Sequence, residues 1–494
     1  MKKFISFMFI TALISNILIS CGDKSASENV NNNDRNIPNA DNNQDSITED
    51  TALAKIEPDL PDRDFEGYTF TFIAHRIDYQ GDWTYDDPSE LVAEEETGDT
   101  IIDAVYKRNM AIKEKYNIDI KMTPSLNEIS DMKKAVGAGD DIYDASVIKN
   151  DLVPSAVTGN LLVNTNNLPY VDLHKPWWDP AVNSMSVDNK NYLLAGDMLI
   201  LDNAATNGLL FNKDLMANLG LELPYNTVKE GKWTMDKLNE MLKNSAADLN
   251  GDGVMDENDR WGLGVFNDTM HAFLAAGGGA FAVKDENDIP YMDFASQKNL
   301  AVLDKAMGIL YNKDYVTNQQ APGGLNIRLM FEENRLLFTW GRMHLVEYFR
   351  GMESNFGILP MPKYDETQEN YYSLVNPYTG VLLGVPKSAG DLERVSIILE
   401  ALAAESKYTL QPAYYDVVLQ RKYVRDDESS EMLDIIFGSR VYDIGGVYSF
   451  GNVNVDFYTL VSKYDTNIIS YYEKKISQME KAIDKIVEIF REMD

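Results

Sequence analysis

Tyr68-Thr69-Phe70-Thr71-Phe72-Ile73-Ala74 alternates large apolar with small polar residues, the period-two pattern of a β-strand. Residues 99–116 then place Ile101, Ile102, Val105, Tyr106, Met110 and Ile112 near one helical face. Residues 117–122 alternate again through Ile118 and Ile120, 144–148 read as a short strand, and another is expected from 161. Strand, helix, strand, helix, strand is α/β order. It demands a parallel or mixed sheet, because parallel neighbours need a long crossover rather than a hairpin.

Further along, residues 193–211 hold two apolar runs split by Asp202-Asn203, as expected of a strand passing from one lobe to a second. The roughly 430 residues beyond position 65 exceed the usual size of one domain, so two lobes are expected. Residues 233–247 read as a helix capped by Thr234, 299–310 and 327–335 as further helices, and 356–359 and 381–385 as strands. Residues 392–404 form an apolar helix burying Val395, Ile398, Leu399 and Leu402. A long amphipathic helix closes the chain over about 466–493, with Ile476, Met479, Ile483, Ile486, Val487 and Phe490 spaced at threes and fours. That stripe is expected to pack onto its own lobe. Gly277-Gly278-Gly279 follows a helical stretch, whereas an anion cradle precedes a helix N-terminus, so it reads as a chain reversal.

The amino terminus addresses the chain. Lys2 and Lys3 precede an uncharged stretch over 4–17, and Leu18-Ile19-Ser20 lead to Cys21, the single cysteine of 494 residues. A basic start, a short apolar core and small residues at the cut make residues 1–20 a secretory signal peptide. The Leu-Ile-Ser-Cys ending resembles the lipobox of bacterial lipoproteins, in which the cysteine is lipidated and becomes the first residue of the mature chain. The resemblance implies lipidation of Cys21 and anchorage to the membrane at the extracellular face of the cell. One cysteine also excludes an intrachain disulfide. Residues 21–60, rich in Asn, Asp and Ser, read as a disordered tether. The net charge of −33 repels nucleic acid and anionic lipid.

One acidic loop carries a metal signature. Asp248, Asn250, Asp252, Asp256 and Asp259 fall at loop positions one, three, five, nine and twelve, Val254 offers its carbonyl at seven, and Gly253 sits at the sharp turn at six. A hard cation needs six or more oxygens, which alternate short side chains supply, so a structural Ca2+ ion is expected. Position twelve is Asp259 rather than Glu, and Arg260-Trp261-Gly262-Leu263 reads as strand or turn instead of a second helix.

Ile102-Asp103-Ala104-Val105-Tyr106-Lys107-Arg108-Asn109, Ala195-Gly196-Asp197, Leu210-Phe211-Asn212-Lys213-Asp214-Leu215, Trp233-Thr234-Met235-Asp236-Lys237-Leu238, Gly357-Ile358-Leu359-Pro360-Met361-Pro362 and the stretch from Thr379-Gly380 to Lys387-Ser388 occur in an informative order. In that order they resemble extracellular solute-binding proteins of ABC transporters, in the family 1, sugar-binding branch typified by maltose-binding protein. The resemblance implies an α/β, two-lobed periplasmic-binding-protein-like fold with a hinge between lobes. Lobe 1 is expected over 61–198 plus 356–425 and lobe 2 over 199–355 plus 426–494. It also implies a carbohydrate ligand, ABC permease subunits as partners, and a monomer.

A sugar site needs flat aromatic walls with carboxylate, amide and cationic groups between them. The resemblance points to Trp340 as a stacking aromatic in lobe 2, and to Tyr372 and Tyr378 at the return to lobe 1. Trp83 lies in a polar loop after the first strand. Asp78, Lys149, Asn150, Asp197, Asn203 and Arg342 lie near predicted strand ends or crossings, where ligands of open α/β sheets gather. Lys175-Pro176-Trp177-Trp178-Asp179 is expected to use at least one tryptophan in packing. The leading function is capture of a carbohydrate, an oligosaccharide by preference, for an importer. A solute-sensing subunit for a membrane kinase is the alternative, and a surface glycosidase a more distant one. No enzymatic activity is expected, since His75, His174, His271 and His344 are scattered without zinc spacing or a nucleophile elbow.

Overall fold

The computed structural model describes residues 55–75, 90–419 and 427–493. Cys21, Asp78 and Trp83 lie outside the described residues. The chain lays down β1 (Tyr68–His75), β2 (Ile118–Ser125) and β3 (Ala145–Lys149) with helices Thr100–Tyr116 and Glu128–Ala138 between them. It then crosses to β4 (Asn207–Asn212), β5 (Trp261–Val265), the hairpin β6 (Ala282–Lys284) and β7 (Pro290–Met292), β8 (Val316–Asn318), β9 (Leu336–Arg342) and β10 (Phe356–Leu359). It returns through β11 (Ser373–Leu374) to β12 (Val381–Gly384) and later forms β13 (Arg440–Val441).

Two sheets result. The first has the order β12-β3-β1-β2, with β1 parallel to both neighbours and β12 antiparallel to β3. The second has the order β10-β4-β9-β5-β8, with β4 antiparallel to β9 and β10 and β5 parallel to β8 and β9. The alternation in β1 separates two packed faces. Phe70, Phe72 and Ala74 join one core with Trp177, Trp178 and the helix Leu392–Tyr408, while Ile73 joins another with Ile148 and Met132. The helix after β1 starts where Asp99 accepts the Ile101 and Ile102 amides, which satisfies donors that the first turn leaves unpaired.

Several expectations hold in detail. Thr234 caps the helix Met235–Ser245 through the Lys237 amide. The closing helix spans Ile468–Glu492 and buries Met479, Ile483, Val487 and Phe490, but it does not pack onto its own lobe alone, since Phe490 meets Tyr192 edge-on at 5.3 Å. The triple glycine ends the helix Thr269–Ala276, and Gly278 takes a left-handed φ of +73° that side chains rarely adopt. Trp177 and Trp178 are both buried, and their indole N–H groups donate to the two oxygens of Glu400 at 2.9 and 2.7 Å.

The crossing differs from a single strand. Leu194 bridges Leu383 of the first sheet, then Leu201–Ala204 makes one helical turn before β4 begins. The physical reason is Glu90, whose buried carboxyl oxygen Oε2 accepts the amides of Ile200 and Leu201 and so holds a helical start at the Asp202-Asn203 break. Three segments lie side by side where the sheets meet. Thr206 bridges Val375, Asn207 Nδ2 donates to the Leu374 carbonyl at 2.9 Å, and β11 runs parallel to β13.

Candidate functional site

Residues at or just beyond the carboxyl ends of β3, β5 and β9 come together around the loop that enters β12. From β3 come Lys149 and the fully buried Asn150, whose amide donates to the Gly380 carbonyl at 2.9 Å and whose Nδ2 donates to the Asn376 carbonyl at 3.3 Å. A Cβ on Gly380 would lie 2.5 Å from Asn150 Nδ2, so glycine is what lets this loop close on Asn150. From β5 comes Asp268, and from β9 Arg342. The loop Asn376–Gly380, entering β12, faces them.

Direct bonds join the lobes here. Arg342 Nη1 donates to Thr379 Oγ1 at 3.0 Å, and Asn376 Nδ2 donates to Asp268 Oδ2 at 3.0 Å. The Tyr378 ring lies 5.6 Å from that of Tyr458, tilted by 52°. Behind Tyr458, His271 Nδ1 is 3.3 Å from its hydroxyl, and His271 Nε2 is 2.8 Å from Asp443 Oδ2. Phe281 stacks on the imidazole at 4.1 Å and holds its plane.

Burial governs the ionisation of this cluster. It raises the Asp268 carboxyl, an effect that the Arg342 charge and the Asn376 amide oppose. It brings the Arg342 guanidinium down to about 10, with Asp268 resisting and Arg328 assisting, so Arg342 stays cationic at neutral pH. It lowers His344 well below the ordinary imidazole value, reinforced by the charges of Arg342 and Arg328, so that ring is neutral. It lifts Tyr378 to about 12, with Asp268 and Asp151 adding to the rise. The result is a set of hydroxyls and amides around the Asp268 carboxyl and the cationic Arg342, each of which opposes the effect of burial on the other.

Asp197 and Asn203 belong to a second cluster, at the crossing. Arg440 of β13 pairs with Asp179 at 3.0 Å and Asp202 at 3.3 Å, and also bonds Asn203 Oδ1. Asn203 Nδ2 donates to Gln411 at 2.8 Å, and Asp197 faces Lys407 at 3.6 Å. Burial pushes Asp202 up to about 7 against the pull of Arg440, and Asp197 to about 6 against Lys407 and Arg440.

The structure therefore brings together Asn150, Arg342 and Tyr378 of the expected ligand residues, with Lys149 beside them and paired to Asp151 at 3.4 Å. Trp340 does not offer a stacking face here. It is fully buried, edge-on to Phe266 at 6.0 Å, because it lies inside the central strand β9, where the sheet is covered. Tyr372 lines a separate open depression of about 570 Å³ with Tyr371, Asp434 and Arg440. Asp268, Thr379, Asn376, Tyr458, His271 and Asp443 were not foreseen. Asp268 could have been, since it follows β5 by three residues; Asp443 and Tyr458 come from the last eighth of the chain without a periodic signal.

In the acidic loop the turn at Gly253 is formed, with φ of +81°. Asp248 accepts the amides of Gly251 and Gly253 at 2.7 and 2.8 Å, Asn250 that of Asp252 at 2.9 Å, and Asp252 that of Val254 at 2.8 Å. Asp259 is buried, and its two oxygens accept the Leu249 and Asp256 amides, each at 2.9 Å. The carboxylates are thus turned onto the loop's own backbone. Among the described residues no group of three or more His, Cys, Asp or Glu side chains is arranged to hold a metal ion.

No family model matches the chain, and no curated protein matches it. Solved structures do. An ABC substrate-binding protein from Listeria monocytogenes in complex with cycloalternan is similar over 86% of this chain and 99% of its own, at 12% identity and a TM-score of 0.51. A cyclo/maltodextrin-binding protein complexed with maltotetraose is similar over 87% and 100%, at 15% identity and a TM-score of 0.53. The apo form of RafE from Streptococcus pneumoniae is similar over 86% and 98%, at 14% identity and a TM-score of 0.51. At such identities the likeness shows the fold, a two-lobed α/β architecture of the periplasmic-binding-protein type.

Proposed function

We propose that this chain is a lipid-anchored, extracellular solute-binding protein of the sugar-binding, maltose-binding-protein-like family, which captures a carbohydrate between its lobes and presents it to an ABC permease. The observation that carries the reading is the inter-lobe couple of Arg342 with Thr379 and Asp268 with Asn376, flanked by Tyr378 and Tyr458. Amide, carboxylate, guanidinium and phenol groups are what a sugar's hydroxyl edge bonds, and tyrosine rings suit its C–H faces. Because these groups come from both lobes, a ligand that bonds them favours closure, and it does so only by binding the closed form better. Two solved structures of the same fold, one in complex with cycloalternan and one with maltotetraose, support the same class of ligand.

Tyr458, His271 and Asp443 line up like a nucleophile with its base and orienting acid. Burial, aided by the charge of Asp268, holds the Tyr458 hydroxyl well above its ordinary value, the opposite of what an activated nucleophile requires. Binding without turnover is the reading this favours. Cys21 lipidation supplies the anchor. Calcium is proposed for the 248–259 loop as a structural ion, one that would need Asp259 to give up its backbone partners; a melting temperature indifferent to millimolar calcium, in wild type and in Asp248→Ala alike, removes it.

A thermal-shift screen of the mature protein against mono- and oligosaccharides tests the function. A ligand at about 100 times its Kd adds roughly 2.7 kcal/mol to the folded state, a shift of a few degrees. The sugar should be recovered intact by mass spectrometry. Cleaved sugar, or no shift across the panel while another solute class produces one, sinks the proposal.

A further inference from the structure

Beside the crossing segments, two tight turns from opposite lobes interlock. One is the turn over 183–190, between the first-sheet strands and the crossing. Asp188 and Asn189 there take left-handed φ values of +53° and +60°. The other is the tip of the β6–β7 hairpin in the second lobe, where Asp288 takes φ of +62°. The Asp188 amide donates to the Asp288 carbonyl at 3.0 Å, the Asn189 amide to Asp288 Oδ2 at 2.9 Å, and Ser186 Oγ to Asp288 Oδ1 at 2.9 Å. Lys284 of β6 donates to the Asn183 carbonyl at 2.8 Å and to Ser186 Oγ at 2.7 Å, and pairs with Asp288 at 2.5 Å.

Position decides what such a contact does. Ser184 Oγ donates to the Tyr442 carbonyl at 2.9 Å, one residue beyond β13, so the interlock adjoins the hinge strands. The C-terminal helix runs past it. Near its start Tyr472 stacks on Phe294, next to the hairpin, at 5.9 Å. Near its end Phe490 meets Tyr192 edge-on at 5.3 Å, and Lys190 Nζ donates to the Phe490 carbonyl at 2.7 Å. A contact beside a rotation axis is hardly displaced when lobes swing, whereas one at the far lip of a cleft must break.

We propose that the β6–β7 hairpin and the 183–190 turn form a fourth, non-covalent hinge element, a pivot that stays engaged as the lobes open. The proposal needs no ligand to test, so it stands or falls apart from the choice of solute. Hydrogen exchange on the ligand-free full chain should show 183–190 protected to the same degree as the neighbouring 204–207 crossing. Asp288→Ala removes both side-chain bonds to the turn and should speed exchange of 183–190 by about tenfold or more. It should also broaden the distance distribution in small-angle scattering, with the milder Ser186→Ala shifting both in the same direction. Rapid exchange of 183–190 in the wild type beside a protected crossing would mark a latch that opens, not a pivot, and overturn the proposal. An Asp288→Ala protein with unchanged exchange and scattering would overturn it equally.

Discussion

Replacing Arg342 by Met should destabilise the protein by an amount that grows with pH. The guanidinium sits between lobes, bonds Thr379 at 3.0 Å and offsets the burial that raises the Asp268 carboxyl. Methionine keeps the length and apolar stem, so the packing loss is about 1 kcal/mol. The larger effect is electrostatic. Removing one partner of a directly paired buried couple costs roughly 3–5 kcal/mol, and the lower end applies here because Arg342 acts on Asp268 through its charge without a direct ion pair, and Asp268 keeps some exposure and its bond to Asn376. The sign follows from the direction of the shift. A carboxyl raised in the folded state contributes stability at pH below its unfolded value and loses it as pH climbs through the folded value. Without Arg342 the Asp268 carboxyl rises further, at ~1.4 kcal/mol per unit. Urea unfolding at about pH 5 and about pH 7.5, read through tryptophan fluorescence, should give a loss near 1–2 kcal/mol in acid and near 3 at the higher pH. Adding Asp268→Asn should recover much of the difference, as expected of coupled neighbours. A loss equal at both pH values, or larger in acid, refutes the reasoning.

Two further outcomes follow from buried carboxylates. Glu400→Ala strips both indole N–H groups of Trp177 and Trp178 of their acceptor and should cost about 3–4 kcal/mol in urea unfolding; a cost under about 1 kcal/mol contradicts the packing account. Asp202, raised by burial to about 7, weakens the fold progressively as pH rises from its unfolded value toward neutrality. Asp202→Asn should therefore compare better with wild type at about pH 8 than at about pH 5, and the opposite trend would show that the Arg440 pair outweighs burial.

How much of this was legible in the sequence depends on how local each signal is. β1 could be read because Phe70 and Phe72 alternate with threonines, and the closing helix because Met479, Ile483, Val487 and Phe490 keep a helical period. Thr234 announced its helix for the same reason, since a cap is a contact over three residues. Asn150 and Arg342 were expected from the rule that ligands gather beyond strand ends, and Tyr378 from the family resemblance. The rest is non-local. Trp340 looks like a stacking aromatic in one dimension and is core in three, because β9 is central in its sheet. Asn203 and Asp197 are drawn away by Arg440 and Lys407, more than 200 residues later. Tyr458 and the helix that carries Phe490 touch both lobes, and Asp443 reaches back to His271, and no pattern within 427–493 says so.

The whole account turns on two bodies that shut around a sugar and leave it unaltered. Small-angle scattering of the mature protein, with and without a saccharide proven to bind, measures this directly. A smaller radius of gyration on binding, with the sugar recovered whole, is the predicted result; identical curves at saturation, or a hydrolysed sugar, contradict it.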